Sequence, residues 1–209
     1  DSKAAEHYYK QALEIRKKVL GEDHPDYASG LTDLGNLYFD MGENKPAAEP
    51  YYLRVLEINE KNFGKDHPDY ASSLNNLGIL YSELGDYKST EPYFKQALEI
   101  YKKVLGENHP DYLETLNSYA YALQKTNREP EAYTILTQNF SKIAKQTADN
   151  FEWLTDNQKE AYWKKESSFY EGLSVFANEV FQKVPEAVGL NFNDSSKIDE
   201  CDSKRLLYL

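Results

Sequence analysis

The stretch Asp66–Gly106, DHPDYASSLNNLGILYSELGDYKSTEPYFKQALEIYKKVLG, decides the fold. It recurs almost whole at Asp23–Gly64, and its first half recurs from Asn108. Each copy opens on His-Pro-Asp-Tyr, at His24, His67 and His109, so the copies are spaced by 43 and then 42 residues. Gly42 and Gly85 keep one distance from the preceding anchor, and Ala48 and Thr90 keep one distance from the following anchor. The extra residue therefore falls between Gly42 and Ala48, in a turn. A turn absorbs an insertion, whereas a helix would rotate its buried face by about 100°.

Each copy reads as two helices. In the first, Leu74, Leu77, Leu80, Tyr81 and Leu84 recur at spacings of three and four, which is one apolar helical face. Proline suits a first helical position, the neighbouring Asp69 favours the positive end of the helix dipole, and Gly85 closes the helix. The second helix carries Tyr93, Phe94, Ala97, Leu98 and Tyr101, and ends at Gly106 with Lys102 and Lys103 in its last turn. Pro92 falls inside it, where it removes a hydrogen bond or bends the axis.

The order Leu74, Leu77, Gly78, Tyr81, Gly85, Thr90, Phe94, Ala97 resembles the signature of the tetratricopeptide repeat (TPR). The earlier copy offers Leu31, Leu34, Gly35, Tyr38, Gly42, Ala48, Tyr52 and Val55 at the same places. The unit is longer than the common repeat of about 34 residues, and its Gly-x-x-His-Pro junction is similar to that of kinesin light chains and many bacterial TPR proteins. The resemblance implies an all-α fold, a right-handed TPR superhelix of antiparallel helix pairs with a divergent C-terminal helical segment. Gly35 and Gly78 fit it, because a hydrogen side chain lets the paired helix approach closely.

Along the chain, residues 1–21 hold a partial repeat, 23–64 and 66–106 full repeats, and 108–146 a degenerate one; 147–209 form a C-terminal helical cap or linker. Ala4–Gly21, AAEHYYKQALEIRKKVLG, aligns Ala5, Tyr9, Ala12 and Leu13 with Thr90, Phe94, Ala97 and Leu98, a second helix without its first. Its open side carries Tyr8 and Tyr9, and the expectation is a parent protein that continues upstream with more repeats. In the degenerate repeat Leu116, Tyr119, Ala120 and Leu123 stand for Leu, Leu, Gly and Tyr. Asn127 replaces the turn glycine, and Ala132 and Leu136 continue the second helix.

The tail has its own resemblance. Leu154, Thr155 and Gln158, then Tyr162, Trp163 and Lys165, then Phe169 and Phe176, then Lys204, Leu206 and Leu207 are similar to the linker that joins TPR repeats to a caspase-like CHAT peptidase in bacterial proteins. That resemblance implies an attached caspase-like domain beyond Leu209 in the parent protein. Its catalytic residues would lie outside this chain.

Composition narrows the function classes. The 209 residues carry a net charge of −11, which argues against nucleic acid and anionic membranes as partners, since phosphate binding needs clustered Lys and Arg. No apolar run approaches the roughly 20 residues of a membrane span, no leader is visible, and the single Cys201 fits a reducing, cytoplasmic setting. Three of the four histidines are one repeat position. Equivalent residues in stacked repeats sit about 10 Å apart, too far for one zinc ion. No phosphate-binding glycine loop occurs, and Cys201 has no local nucleophile motif. The expectation is therefore no enzyme, no metal and no cofactor.

A binding groove is the remaining candidate. First helices line the concave face of such a stack. The positions that leave the apolar face there are Asp33, Asn36 and Asp40, then Asn76, Ile79 and Glu83, then Ser118, Tyr121 and Lys125. Amides of Asn36 and Asn76 could both donate to and accept from a peptide backbone. Asp33, Asp40 and Glu83 favour a basic ligand. The expected function is a protein-interaction module for a peptide or partner surface. The sensor arm of a caspase-like protease and a self-associating scaffold are the alternatives.

Overall fold

In a computed structural model of the chain, residues 2–42 and 45–137 are described below. The chain divides into two compact units, Asp1–Thr126 and Asn127–Leu209. The tail positions singled out above, from Leu154 onward, lie outside the described residues.

The first unit is all-α. Its helices are α1 (Ser2–Leu20), α2 (Pro25–Asp40), α3 (Glu49–Phe63), α4 (Pro68–Glu83), α5 (Tyr87–Val104) and α6 (Pro110–Lys125), with a 3-10 turn at Lys45–Ala48 before α3. That turn stands in the connection that holds the extra residue. In the second unit residues 129–137 are helical, and Asn127 has φ 58, the left-handed conformation expected of a residue in place of the turn glycine.

The repeated His-Pro-Asp does more than mark the junction. His24, His67 and His109 are the N-caps of α2, α4 and α6. Each imidazole Nδ1 accepts from the backbone N–H of the aspartate two residues on, at 3.1, 3.1 and 3.3 Å. The cap answers a donor that the helix leaves open, and proline occupies the first helical position without losing a bond. Gly85 and Gly106 close α4 and α5 at φ 76 and 86, where a side chain is strained. Pro92 does lie inside α5, whose N-cap is Asp86, with Oδ1 accepting from Ser89 N.

Packing follows the two expected faces. Leu74, Leu77 and Leu80 on α4 and Phe94, Ala97, Ile100 and Tyr101 on α5 are all buried. Tyr81, Tyr93 and Leu98 of the expected faces are half-buried, and Leu84, at the C-cap of α4 where the helix ends, is 38% exposed. Gly78 lets α4 and α5 approach closely, since a Cβ there would stand 2.9 Å from Phe94 Cε1. Gly35 plays the same part for α2 and α3, with Tyr52 Cε1 at 2.6 Å.

A tyrosine–glutamate ladder joins successive pairs. Tyr38 donates to Glu6 at 2.7 Å and Tyr81 to Glu49 at 2.5 Å. Each of these rings also stacks on a tyrosine of its own pair, Tyr38 on Tyr51 and Tyr81 on Tyr93. Burial first, then the Glu49 hydrogen bond, raises the Tyr81 pKa. In the degenerate repeat the Tyr81 position holds Leu123, and Tyr119, one turn earlier, reaches Glu91 at 3.0 Å instead. The rung survives the drift in sequence.

Candidate binding face of the first helices

The nine groove positions all lie on α2, α4 and α6, but the structure does not bring them to one place. It forms two clefts between neighbouring first helices. The first, of about 210 Å³, lies between α2 and α4 and includes Asn76. The second, of about 290 Å³, lies between α4 and α6 and gathers Ile79, Glu83, Ser118 and Tyr121. Asp33, Asn36, Asp40 and Lys125 line neither.

Chemistry separates the two clefts. In the first, much of the polar lining is already paired. Asn59 Nδ2 donates to Asp69 O at 3.1 Å and to Ser73 Oγ at 2.9 Å, and Ser73 Oγ donates to Asp69 O. Thr32 Oγ1 donates to Ala28 O in its own helix. The Asn59 bonds tie α3 to α4. The second cleft is different. Its inner wall is Ile79 and Phe94, and Tyr121 is a 43% exposed rim. Ser82 also lines it, is 7% exposed, and its enclosed Oγ has no hydrogen-bond partner. A buried polar atom without a partner is uncommon and calls for a reason.

The charged candidates mostly have partners within the chain. Arg16 Nη1 stands 3.8 Å from Asp33 Oδ2, and Lys45 donates to Glu83 Oε2 at 2.6 Å. Lys125 Nζ sits 4.9 Å from the Tyr121 ring centroid, a cation–π contact. Asn36 Oδ1 accepts from the Tyr52 hydroxyl at 2.7 Å. Burial, with the Asp40 charge adding, pushes the Tyr52 pKa up from 10.0 to about 12. Of the three carboxylates expected to favour a basic ligand, Asp33 and Glu83 thus already face a cation of the same chain.

Reasoning from the sequence missed Ser82, Phe94 and Asn117 as cleft residues. The signal was present in the register. Ser82 occupies the position of Phe39 in the earlier copy, and Ala122 that of Leu80. Phe39 packs on a cluster of Ala48, Tyr52, Leu77 and Leu80, with Lys45 Nζ 5.0 Å from its ring centroid. One step along the stack a serine and an alanine replace a phenylalanine and a leucine, while Tyr119 replaces Leu77 and brings its ring to Phe94.

No three His, Cys, Asp or Glu side chains among the described residues come together as a metal site. No described helix is long and apolar enough to cross a membrane.

Comparison with known proteins places the chain. A tetratricopeptide repeat model matches residues 1–51, 46–103 and 84–138. The chain belongs to the tetratricopeptide repeat family. No curated protein matches it. Among solved structures it is similar to a point variant of a Podosopora anserina putative kinesin light chain with nearly identical TPR-like repeats, at 24% identity and TM-score 0.61, over 70% of this chain and 69% of that one. It is also similar to BtubC (BKLC) from P. vanneervenii, at 22% identity and TM-score 0.62, over 70% of this chain and 58% of that one. The apo form of RapI matches at 19% identity and TM-score 0.61, over 90% of this chain and 72% of that one. At these identities the likeness concerns the fold: an all-α repeat of antiparallel helix pairs.

Proposed function

We propose that this TPR chain is a non-enzymatic interaction module, and that it takes a peptide segment of a partner protein across α2, α4 and α6. TPR repeats in general mediate protein–protein interaction, and the observation that carries the reading here is the α4–α6 cleft. Four of the nine groove positions converge on it, over an apolar wall, beside a buried hydroxyl without a partner. At about 290 Å³ it lies at the lower edge of the roughly 300–1,000 Å³ of small-molecule sites, which suits one side chain of a longer ligand. The acidic charge of the chain, −11 in all, favours basic residues elsewhere in that ligand through long-range steering, and speaks against nucleic acid.

The test is selection from a random peptide display library on the immobilised chain, followed by binding of the enriched peptides to wild type and to Ser118→Arg/Tyr121→Ala. Enriched peptides that lose at least ~10-fold in affinity, about 1.4 kcal/mol, while the melting temperature holds, support the reading. No enrichment over a blank surface, or equal affinity for both proteins, overturns it.

A further inference from the structure

We propose that the free face of α1 docks one partner helix, acidic and amphipathic, with Asp, Leu, Gly and Tyr spaced as Asp66, Leu74, Gly78 and Tyr81 are in this chain. This face is separate from the face of the first helices, and its docking does not depend on the proposed peptide binding there.

The internal repeat shows what α1 lacks. α1 is in register with α3 and α5, so Tyr9 stands for Tyr52 and Phe94, and Ile15 for Ile58 and Ile100. Tyr52 and Phe94 are 4% and 0% exposed, and Ile58 and Ile100 are 1% and 5% exposed, against 41% for Tyr9 and 62% for Ile15. In the complete pairs the cover is the first helix of the same repeat, α2 on α3 and α4 on α5. α1 packs on α2 but has no first helix of its own among the described residues. An apolar stripe left open in this way marks an interaction surface.

Four contacts of the complete pairs define the occupant. Lys61 and Lys103 pair with Asp23 and Asp66, each the residue before a capping histidine. Lys18 stands at the same register on α1, with no such acid beside it. Leu31 lies on Val55 and Ile58, whose counterparts are Ala12 and Ile15. Gly35 and Gly78 admit the rings of Tyr52 and Phe94, whose counterpart is Tyr9. Tyr38 and Tyr81 stack on Tyr51 and Tyr93, whose counterpart is the exposed Tyr8. Lys18, Ile15, Tyr9 and Tyr8 run down α1 in the order in which Asp, Leu, Gly and Tyr run up an antiparallel cover. Charge agrees with this occupant. α1 carries five Lys and Arg against Glu6 and Glu14, whereas every charged residue of α2 and α4 is an acid. A second α1 would set like charges together, and a helix of the α2 or α4 kind sets opposite ones together.

The experiment titrates the full 209-residue chain with the synthetic peptide Asp66–Gly85, DHPDYASSLNNLGILYSELG, and with its Gly78→Leu form, followed by backbone amide NMR. The ratio of affinities is read, because so short a helix orders mainly on docking. The unaltered peptide should give saturable shifts centred on Tyr8, Tyr9, Ile15 and Lys18. It should bind at least ~10-fold tighter than the Gly78→Leu peptide, whose leucine strikes the Tyr9 ring. Tyr8→Ala/Ile15→Ser in the chain should weaken binding at least ~10-fold with no fall in melting temperature, since both side chains are exposed. Equal affinity for the two peptides, equal affinity of the variant, or no shifts on α1 would overturn the proposal. Shifts confined to α2, α4 and α6 would overturn it too, while leaving the proposed function standing. So would a wild-type dimer in sedimentation that Tyr8→Ala/Ile15→Ser dissolves, which would give the face to a second copy.

Discussion

The α2–α4 gap and the α4–α6 gap are built from the same repeat, yet their clefts open at different places, along the first turns of α2 and α4 in one and beside the last turns of α4 in the other. In the first, Phe39 covers the cluster, the Tyr52 hydroxyl reaches Asn36, and Asn59 ties Ser73 to the backbone of Asp69. In the second, Ser82, Phe94 and Ile79 take the places of Phe39, Tyr52 and Asn36. The helices, their histidine caps and the close contact at Gly35 or Gly78 are the same in both. In this chain the repeat signature therefore sets where helices go, and the residues that differ between copies set where the space between them opens.

The largest expected effect attacks the floor of the second gap. Phe94 has no exposed surface and is the seat on which Gly78 rests. Phe94→Ala should cost ~3–5 kcal/mol, the range for a buried aromatic truncation, measured by urea unfolding. A loss under ~1 kcal/mol would mean that the open cleft lets the core collapse around the hole, and that the second gap is softer than its burial indicates.

Next come the glycines, where the gaps should differ. A methyl at Gly35 meets the Tyr52 ring at 2.6 Å, and one at Gly78 meets Phe94 at 2.9 Å. Tyr52 is held at its far end by Asn36, whereas Phe94 borders a cleft. Both Gly→Ala variants should lose stability within the ~1–3 kcal/mol of an overpacked core, with Gly35→Ala the worse. Equal losses would show that the cleft gives Phe94 no room to move.

How much of this was legible beforehand follows from the same pair. The helix pairs, the turn at Asn127 and the two glycine contacts are local or strictly periodic, so spacing alone exposes them. The histidine cap was half visible, since the proline and aspartate mark the helix start but a side-chain acceptor depends on the imidazole's rotamer. The cleft was hidden because its walls come from three helices. Ser82 looks like an ordinary turn-ward residue until it is set beside Phe39 and against Asn117 and Tyr121 of the next copy. Listing groove positions by direction found four of the lining residues. It missed that Asn36, Asp33 and Glu83 would be bonded to Tyr52, Arg16 and Lys45, because such partners are side chains far along the sequence or on another helix.

A pH prediction separates the gaps by the Tyr52 hydroxyl, which Phe94 lacks in the second. Tyr52 has a folded pKa of about 12 against an ordinary 10.0. Its folded value is raised, so the neutral phenol stabilises the fold below pH 10, and that contribution is lost as pH rises from 10 through 12. Tyr52→Phe should lose about 0.5–1.5 kcal/mol at neutral pH through the missing hydrogen bond, yet show a shallower loss of stability across the alkaline range. Tyr101, also near 12 through burial, remains in both proteins and leaves a residual slope. Identical alkaline profiles for wild type and variant would remove Tyr52 as a titrating group of the first gap.

The smallest effect belongs to a residue that touches both gaps. Lys45 lies over the Phe39 ring and donates to Glu83 at the mouth of the second cleft. Its side chain and that of Glu83 keep 26% and 32% of their surface in water, so solvent screens much of the attraction. A double-mutant cycle with Lys45→Ala and Glu83→Ala should give a coupling of ~0.2–1 kcal/mol, shrinking in high salt as screening increases. Since the ammonium also rests on Phe39, Lys45→Ala should cost more in wild type than in a Phe39→Ser background. If the cost is the same in both, the ring contact adds nothing, and Lys45 serves the second gap alone as a cover over Glu83.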